Sequence, residues 1–301
     1  MKVLFLSGGA QPDYQCDMLF HGLRQTLGSD LVDVRRIWFM YQRDVSPRKK
    51  RRLYGRGFTL YGILPDIAID RSDLKAKIRA RYFDLIVYGS VWRNLDYWEL
   101  VGRHYPPSKI AFVDGEDEQK LRADLFGRGL YFKRECTRQS RACIPINFAI
   151  PRSKVRGAVP AKTRVLATVI PDRPETYIFD DESAYFDDYA SSIFAITQKK
   201  AGWDCLRHYE ILASGCIPVF ASLESCPSHT LITLPKRFLR GARRWYPDNA
   251  ASLPPETFEL CRAFAAERLT TETLAADFLD AVRLGKRSLP PRRSALDSLL
   301  R

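Results

Sequence analysis

Lys199-Lys200-Ala201-Gly202-Trp203-Asp204-Cys205-Leu206-Arg207-His208-Tyr209-Glu210-Ile211-Leu212-Ala213-Ser214-Gly215-Cys216-Ile217-Pro218-Val219 is the stretch that decides the fold of this 301-residue chain. It reads as a loop with two lysines and a glycine, a helix over residues 204–214, a glycine stop and a strand. Asp204 suits the N-cap, where a side-chain oxygen accepts from a first-turn amide, and Gly215 suits the left-handed position past the C-cap. On the helix, Arg207, Glu210 and Ser214 share a stripe at i, i+3 and i+7, beside Leu206, Tyr209 and Ala213. A charged pair is thereby presented from an otherwise apolar helix. Two readings stand. Either Arg207 and Glu210 form a surface ion pair and the lysines are solvated, or the loop cations and the free amides at the helix N-terminus make a diphosphate site. The lone glycines match neither a Walker loop nor a dinucleotide fingerprint.

The same rhythm extends outward. Residues 164–170, 193–197 and 216–221 read as strands, with a helix at 181–191 between the first two and terminal helices over 256–285. In the first half, strands are expected at 3–6, 32–41 (interrupted by Arg35-Arg36), 84–88, 109–113, 131–133 and 144–150. Helices are expected at 13–27, where Cys16, Leu19, Phe20, Leu23 and Leu27 keep a helical period, and at 72–82 and 96–105. Strands alternating with helices imply βαβ units and parallel sheets. Residues 151–163, with Pro151, Gly157, Pro160 and four basic residues, read as a linker. The expectation is an α/β chain of two Rossmann-like, doubly wound domains, residues 1–155 and 163–285, followed by a basic tail at 286–301. Such domains create a cleft facing the carboxyl ends of both sheets, where ligands of open α/β folds bind.

Composition narrows the classes. A hydrophobic content of 46% is ample for two cores, and no stretch reaches the ~18 apolar residues of a membrane span. The start, Met1-Lys2-Val3-Leu4-Phe5-Leu6-Ser7-Gly8-Gly9, reads as a first buried strand and not as a secretory signal. Seven cysteines and four histidines show no zinc spacing, and the cysteines read as reduced core residues of a cytoplasmic protein. The formal charge of +13 peaks in Arg48-Lys49-Lys50-Arg51-Arg52. That suits anionic partners, including an anionic membrane surface, a phosphorylated or lipid-linked acceptor, or an acidic glycan.

The run from residue 199 to 219 resembles the donor-site segment of GT-B glycosyltransferases, in particular exostosin-like and related bacterial and viral glycosyltransferase-like proteins. These carry a basic residue and glycine, an R-x-x-E on a helix, and then A-x-G-x-I-P-V. The resemblance implies a nucleotide-sugar donor, with Lys199, Lys200, Gly202 and Arg207 at the diphosphate and Glu210 accepting from the ribose. Many retaining members carry a second glutamate where Pro218 stands here. The resemblance covers residues 193–234 and implies a GT-B fold over the whole chain.

Glycosyl transfer needs positive charge on the leaving diphosphate and, in inverting enzymes, a base for the acceptor hydroxyl. For the base, Asp114-Gly115-Glu116-Asp117-Glu118 follows the strand at 109–113, and crowded carboxylates raise one another's pKa. Asp114 is the first choice and Glu116 the second, against the alternative of a solvated acidic turn. Gly8 and Gly9 follow the first strand, and Ser90 and Arg93 follow the third. All four are candidates for the acceptor or phosphate side. Lys133, in Tyr131-Phe132-Lys133-Arg134-Glu135, is either a phosphate contact or part of a structural interdomain ion pair, because a buried charged triplet is costly unless paired. No metal or other cofactor is expected. The acceptor is a glycan, a lipid-linked molecule or another hydroxyl compound. A basic nucleic-acid- or nucleotide-binding protein is the rival class, although no helix-turn-helix, RRM, KH or zinc module is present. A third reading is a catalytically inactive sugar-binding module of the same fold.

Overall fold

The computed structural model describes residues 1–137, 143–285 and 295–300. Its first half contains β1 (Val3–Leu6), α1 (Tyr14–Leu27), β2 (Leu31–Asp33), α2 (Pro47–Lys50), α3 (Leu74–Arg79) and β3 (Leu85–Tyr88). Then follow α4 (Trp98–His104), β4 (Ile110–Asp114), β5 (Leu130–Lys133) and β6 (Ile144–Pro145). All six strands run parallel in the order β2-β1-β3-β4-β5-β6. Both faces are buried, which is why these strands are almost uniformly apolar. Val3, Phe5, Leu85, Val87, Ala111, Val113 and Phe132 point to one core, and Leu4, Leu6, Ile86, Tyr88, Ile110, Phe112 and Tyr131 point to the other.

The second half contains β7 (Arg164–Leu166), α5 (Glu182–Ser191), β8 (Ser192–Thr197), α6 (Leu206–Ala213) and β9 (Ile217–Phe220). These strands form a smaller parallel sheet, β7-β8-β9. Three helices follow, α7 (Lys236–Ala242), α8 (Glu256–Arg268) and α9 (Thr271–Leu284). One apolar cluster runs continuously from Val3 and Phe5 through Phe278 to Phe194, Leu206 and Ile217, so the two sheets share a core.

Three readings of the sequence are corrected. The strand expected over 32–41 ends at Asp33, and Trp38–Met40 is a 3-10 turn. Arg36 leaves the sheet to pair with Asp44 at 2.6 Å and Asp66 at 2.7 Å. Asp204 is not the N-cap of α6; Cys205 occupies that place without a side-chain cap bond. Grouping residues 163–285 together puts α9 with the second sheet, yet α9 packs on α1 of the first. A Cβ on Gly22 of α1 would sit 1.8 Å from the Thr271 carbonyl oxygen, so only glycine permits this approach. The chain returns beside its own linker: Ile150 N–H donates to Leu269 O at 2.8 Å, and Thr271 N–H donates to Ile150 O at 2.9 Å.

Of the basic tail, residues 286–294 and 301 lie outside the described residues, whereas Ala295–Leu300 forms a 3-10 helix with Leu296 fully buried. All cysteines except Cys205 are buried. Among the described residues no helix is long and apolar enough to cross a membrane.

Candidate functional site

A cleft of about 660 Å³ collects residues that follow the carboxyl ends of β1, β3, β4 and β5 on one side and of β7 and β8 on the other. In the first sheet the strand order reverses at β1, and the crevice between β1 and β3 is the topological switch point where ligands of such sheets bind. Gly8 and Ser90 meet there. A Cβ on Gly8 would lie 3.2 Å from Ser90 Cβ and 3.3 Å from Arg93 Cδ. Ser90 Oγ donates to Asp13 Oδ2 at 2.7 Å, and Asp13 also caps α1 by accepting from the Cys16 amide at 3.3 Å. Arg93 stands 3.7 Å from Asp13 and 4.0 Å from Glu116. Arg93, Asp13 and Glu116 line the cleft, whereas Gly8, Gly9 and Ser90 do not. Gly9 takes the left-handed φ of +103° in this turn.

The carboxylate run after β4 divides. Asp114 is fully buried and does not line the cleft. It accepts from Lys133 Nζ at 2.8 Å, from Tyr131 Oη at 2.7 Å and from the Glu116 amide at 3.2 Å. The expectation of Asp114 as a base is therefore corrected: its acceptor sites are committed to a buried ion pair. Lys133, also fully buried, was read as a phosphate contact or part of an interdomain ion pair; it pairs with Asp114 on the neighbouring strand, within the first sheet. Glu116 does line the cleft, and burial raises its pKa while Arg93 opposes the rise.

Arg134 and Glu135 span the two halves. The Arg134 guanidinium donates to Gly115 O at 2.9 Å, to Glu135 Oε1 at 3.1 Å, to Asp204 O at 2.7 Å and to the Asp117 carboxylate. Glu135 Oε1 accepts from the Asp204 amide at 2.9 Å. Gly202 closes on this cluster. A Cβ there would meet Asp117 Oδ1 at 2.5 Å and Glu135 Oε1 at 2.6 Å. The Asp204 carboxylate accepts from the Phe148 amide at 2.8 Å, Asn147 Nδ2 at 3.1 Å and Tyr209 Oη at 2.9 Å. Burial lifts its pKa to about 6, with Arg134 and the Phe148 amide pulling the other way.

On the second side, Lys200, Gly202, Arg207 and Glu210 line the cleft, and Lys199 does not. Lys199 and Lys200 are exposed, with Lys199 Nζ 5.9 Å from the Trp203 ring and Lys200 Nζ 5.8 Å from the Tyr177 ring. Arg207 is buried. Its Nη2 donates to Tyr177 Oη at 2.7 Å, and its Nη1 has no hydrogen-bond partner among the described residues. The surface ion pair between Arg207 and Glu210 is not formed. Instead Glu210 Oε1 accepts from Thr59 Oγ1 at 2.5 Å and Oε2 from Tyr185 Oη at 2.6 Å. No side chain caps α6, so its first-turn amides add to the positive edge around Arg207. On α6 itself, His208 is held neutral by burial, between Thr197 Oγ1 at 2.9 Å and Trp203 O at 2.8 Å.

The sequence reading missed Asp13, Thr59, Tyr177 and Tyr185. Of these, only Asp13 carried a usable signal, as a capping residue after a glycine turn at a strand end. The run Arg48-Lys49-Lys50-Arg51-Arg52 belongs to a strap that crosses to the second half. Lys50 pairs with Glu182 at 2.9 Å, and Arg56 pairs with Asp180, while Arg48, Arg51 and Arg52 remain exposed. Among the described residues no group of three or more His, Cys, Asp or Glu side chains could hold a metal ion.

No family model matches the chain, and no curated protein matches it in sequence. Among solved structures, AviGT4, a glycosyltransferase involved in avilamycin A biosynthesis, is 12% identical, covering 94% of this chain and 97% of that one at a TM-score of 0.51. HepE of Anabaena, solved with UDP and glucose, is 10% identical over 94% and 100% of the two chains, at a TM-score of 0.48. An α-glucosyltransferase solved with UDP and a 13-mer DNA containing a central A:G mismatch is 10% identical over 93% and 99%, at 0.49. At these identities the shared property is the fold, and with the two parallel sheets it defines this chain as a GT-B type α/β protein.

Proposed function

We propose that the protein is a glycosyltransferase that moves a hexose or pentose from a nucleoside-diphosphate sugar to a hydroxyl acceptor, without a metal. One observation carries the reading: Arg207 lines the cleft with a buried Nη1 that no acceptor among the described residues satisfies. A buried guanidinium with an unmet donor is costly unless an anion completes it. Lys200 and the uncapped amides of α6 stand beside it, so a diphosphate placed there meets three kinds of positive group, which is the charge a leaving diphosphate requires. Glu210 then faces the ribose.

On the opposite side Glu116 takes the proton of the acceptor hydroxyl. Burial raises its pKa, as it also raises those of Asp204 and Glu210 across the cleft, and on its own side Asp117 is committed to Arg134 and Asp13 to Ser90 and the Cys16 amide. The acceptor is a glycan or lipid-linked molecule. The exposed Arg48, Arg51 and Arg52 favour one that is anionic or lies at an anionic membrane surface. A thermal-shift screen against UDP, GDP, CMP and their sugars tests the reading, because a ligand that binds only the folded state raises Tm. A nucleoside diphosphate is expected to raise it by several degrees. No shift with any of them overturns the proposal.

A further inference from the structure

Glu210 is a buried carboxylate that makes no ion pair among the described residues. An ionised carboxylate offers about four acceptor sites, two on each oxygen. Thr59 and Tyr185 take one site on each. One site therefore remains on each oxygen, on a residue that lines the cleft. Two parallel acceptors suit a vicinal diol, with one hydroxyl on each oxygen.

Thr59 reaches Glu210 from far away in the chain. It sits on the strap between β2 and α3, which belongs to the first sheet's half, whereas Glu210 and Tyr185 belong to the second. The strap is clasped onto the second half by Glu182 at the start of α5. That carboxylate accepts from the Thr59 amide at 2.7 Å, from Lys50 Nζ at 2.9 Å and from Lys154 Nζ at 2.6 Å. The Phe58 ring packs on the Tyr185 ring at 5.7 Å. Thr59 holds a φ of +72°, a left-handed conformation that glycine adopts freely and a β-branched residue strongly resists. Glycine would serve if only the path of the backbone mattered. Strain retained at a buried side chain behind the cleft wall points to a use for that side chain, and here its hydroxyl lies on Glu210.

We propose that Thr59 is a positioning residue that orients Glu210 from across the cleft, so that the carboxylate recognises the ribose diol of the nucleotide only while the strap is docked. The inference rests on the nucleotide-sugar reading above and adds a residue that the donor-site segment does not contain. Recognition of the donor is thereby tied to closure of the two halves over it.

Isothermal titration of UDP, GDP and their 2′,3′-dideoxy counterparts against the unaltered chain, Thr59→Ser, Thr59→Val and Thr59→Gly tests it. The valine and glycine variants are expected to weaken binding of the ribonucleotide by about tenfold and to leave the dideoxy affinity within about twofold, with serine restoring the loss. Thr59→Gly accepts the left-handed backbone, so a misfolded strap does not account for its loss. Tighter ribonucleotide binding without the hydroxyl would mean that Thr59 competes with the ligand, and overturns the inference. Equal loss for ribo and dideoxy forms, or no loss, also overturns it while leaving the nucleotide reading intact. Failure of both nucleotides to bind the unaltered chain overturns that reading and the inference together.

Discussion

Two couples of buried opposite charges, Asp114 with Lys133 at the ends of β4 and β5 and Arg207 with Glu210 on α6, are built on opposite terms. Asp114 and Lys133 are both fully buried, 2.8 Å apart, and the carboxylate is completed by Tyr131 and a backbone amide. Neither side chain lines the cleft. Arg207 and Glu210, three residues apart on α6, do not pair with each other; among the described residues the arginine keeps an unmet donor, and the glutamate accepts from two hydroxyls. The difference teaches that burial and charge alone do not mark a binding site. What distinguishes one is hydrogen-bonding capacity that the protein leaves unfilled.

The sharpest way to break this comparison is to remove one member of each pair. Lys133→Met strands a buried carboxylate, and the expected cost is about 3–5 kcal/mol of unfolding free energy in urea titration. The double variant with Asp114→Asn is expected to recover most of it. If Lys133→Met instead kept its stability and lost nucleotide binding, the structural assignment of this pair would collapse.

Arg207→Ala is expected to do the reverse. Affinity for a nucleoside diphosphate falls about a hundredfold, close to 3 kcal/mol, while the unfolding free energy changes by less than about 1 kcal/mol because the one hydrogen bond lost among the described residues is that to Tyr177 Oη. Calorimetry and urea titration on the same preparation read both quantities. Unchanged affinity would remove Arg207 from the donor site.

A smaller effect belongs to Asp204. Asp204 is raised to about 6 by burial, and it is faced by Arg134, Glu135, Asn147 and the Phe148 amide. Its folded form holds the proton more tightly than the unfolded chain, where the value is about 3.9. The stability that this contributes is complete below the unfolded value and is lost as pH rises through about 6. From this group the chain is expected to be roughly 1 kcal/mol more stable at pH 5 than at pH 7, and Asp204→Asn flattens that part of the stability profile. A profile identical to that of the unaltered chain would show that Asp204 titrates normally.

Much of the second-sheet side of the cleft was legible in the sequence. Lys200, Gly202, Arg207 and Glu210 sit in one short run, and helical spacing alone puts Arg207 and Glu210 on one edge of α6. The first-sheet side was less so. Asp114 looked exposed to the cleft because it ends a strand, yet alternation along β4 does not report which charged neighbour on β5 will meet it. Asp114 and Glu116 are two residues apart, and only the parallel register of Asp114 with Lys133 sends one into the core and leaves the other at the rim. Asp204 looked like a cap by composition, but three donors from two other segments drew its carboxylate inward.

Period-2 and period-3.6 patterns, the stop at Gly215 and the linker after Pro151 were enough for an α/β chain of parallel sheets with a cleft, because these features depend on residues within a turn or a strand of one another. The filling of that cleft's polar groups was decided by the tertiary structure alone. Lys133 finds Asp114 at a separation of 19 residues, and Thr59 finds Glu210 at a separation of 151. Returning α9 to α1 depended likewise on one glycine meeting a backbone carbonyl about 250 residues along the chain, a separation close to that of the neighbouring bond between His21 and Thr271. A buried charge takes its character from its partner, and no local pattern names a partner that distant.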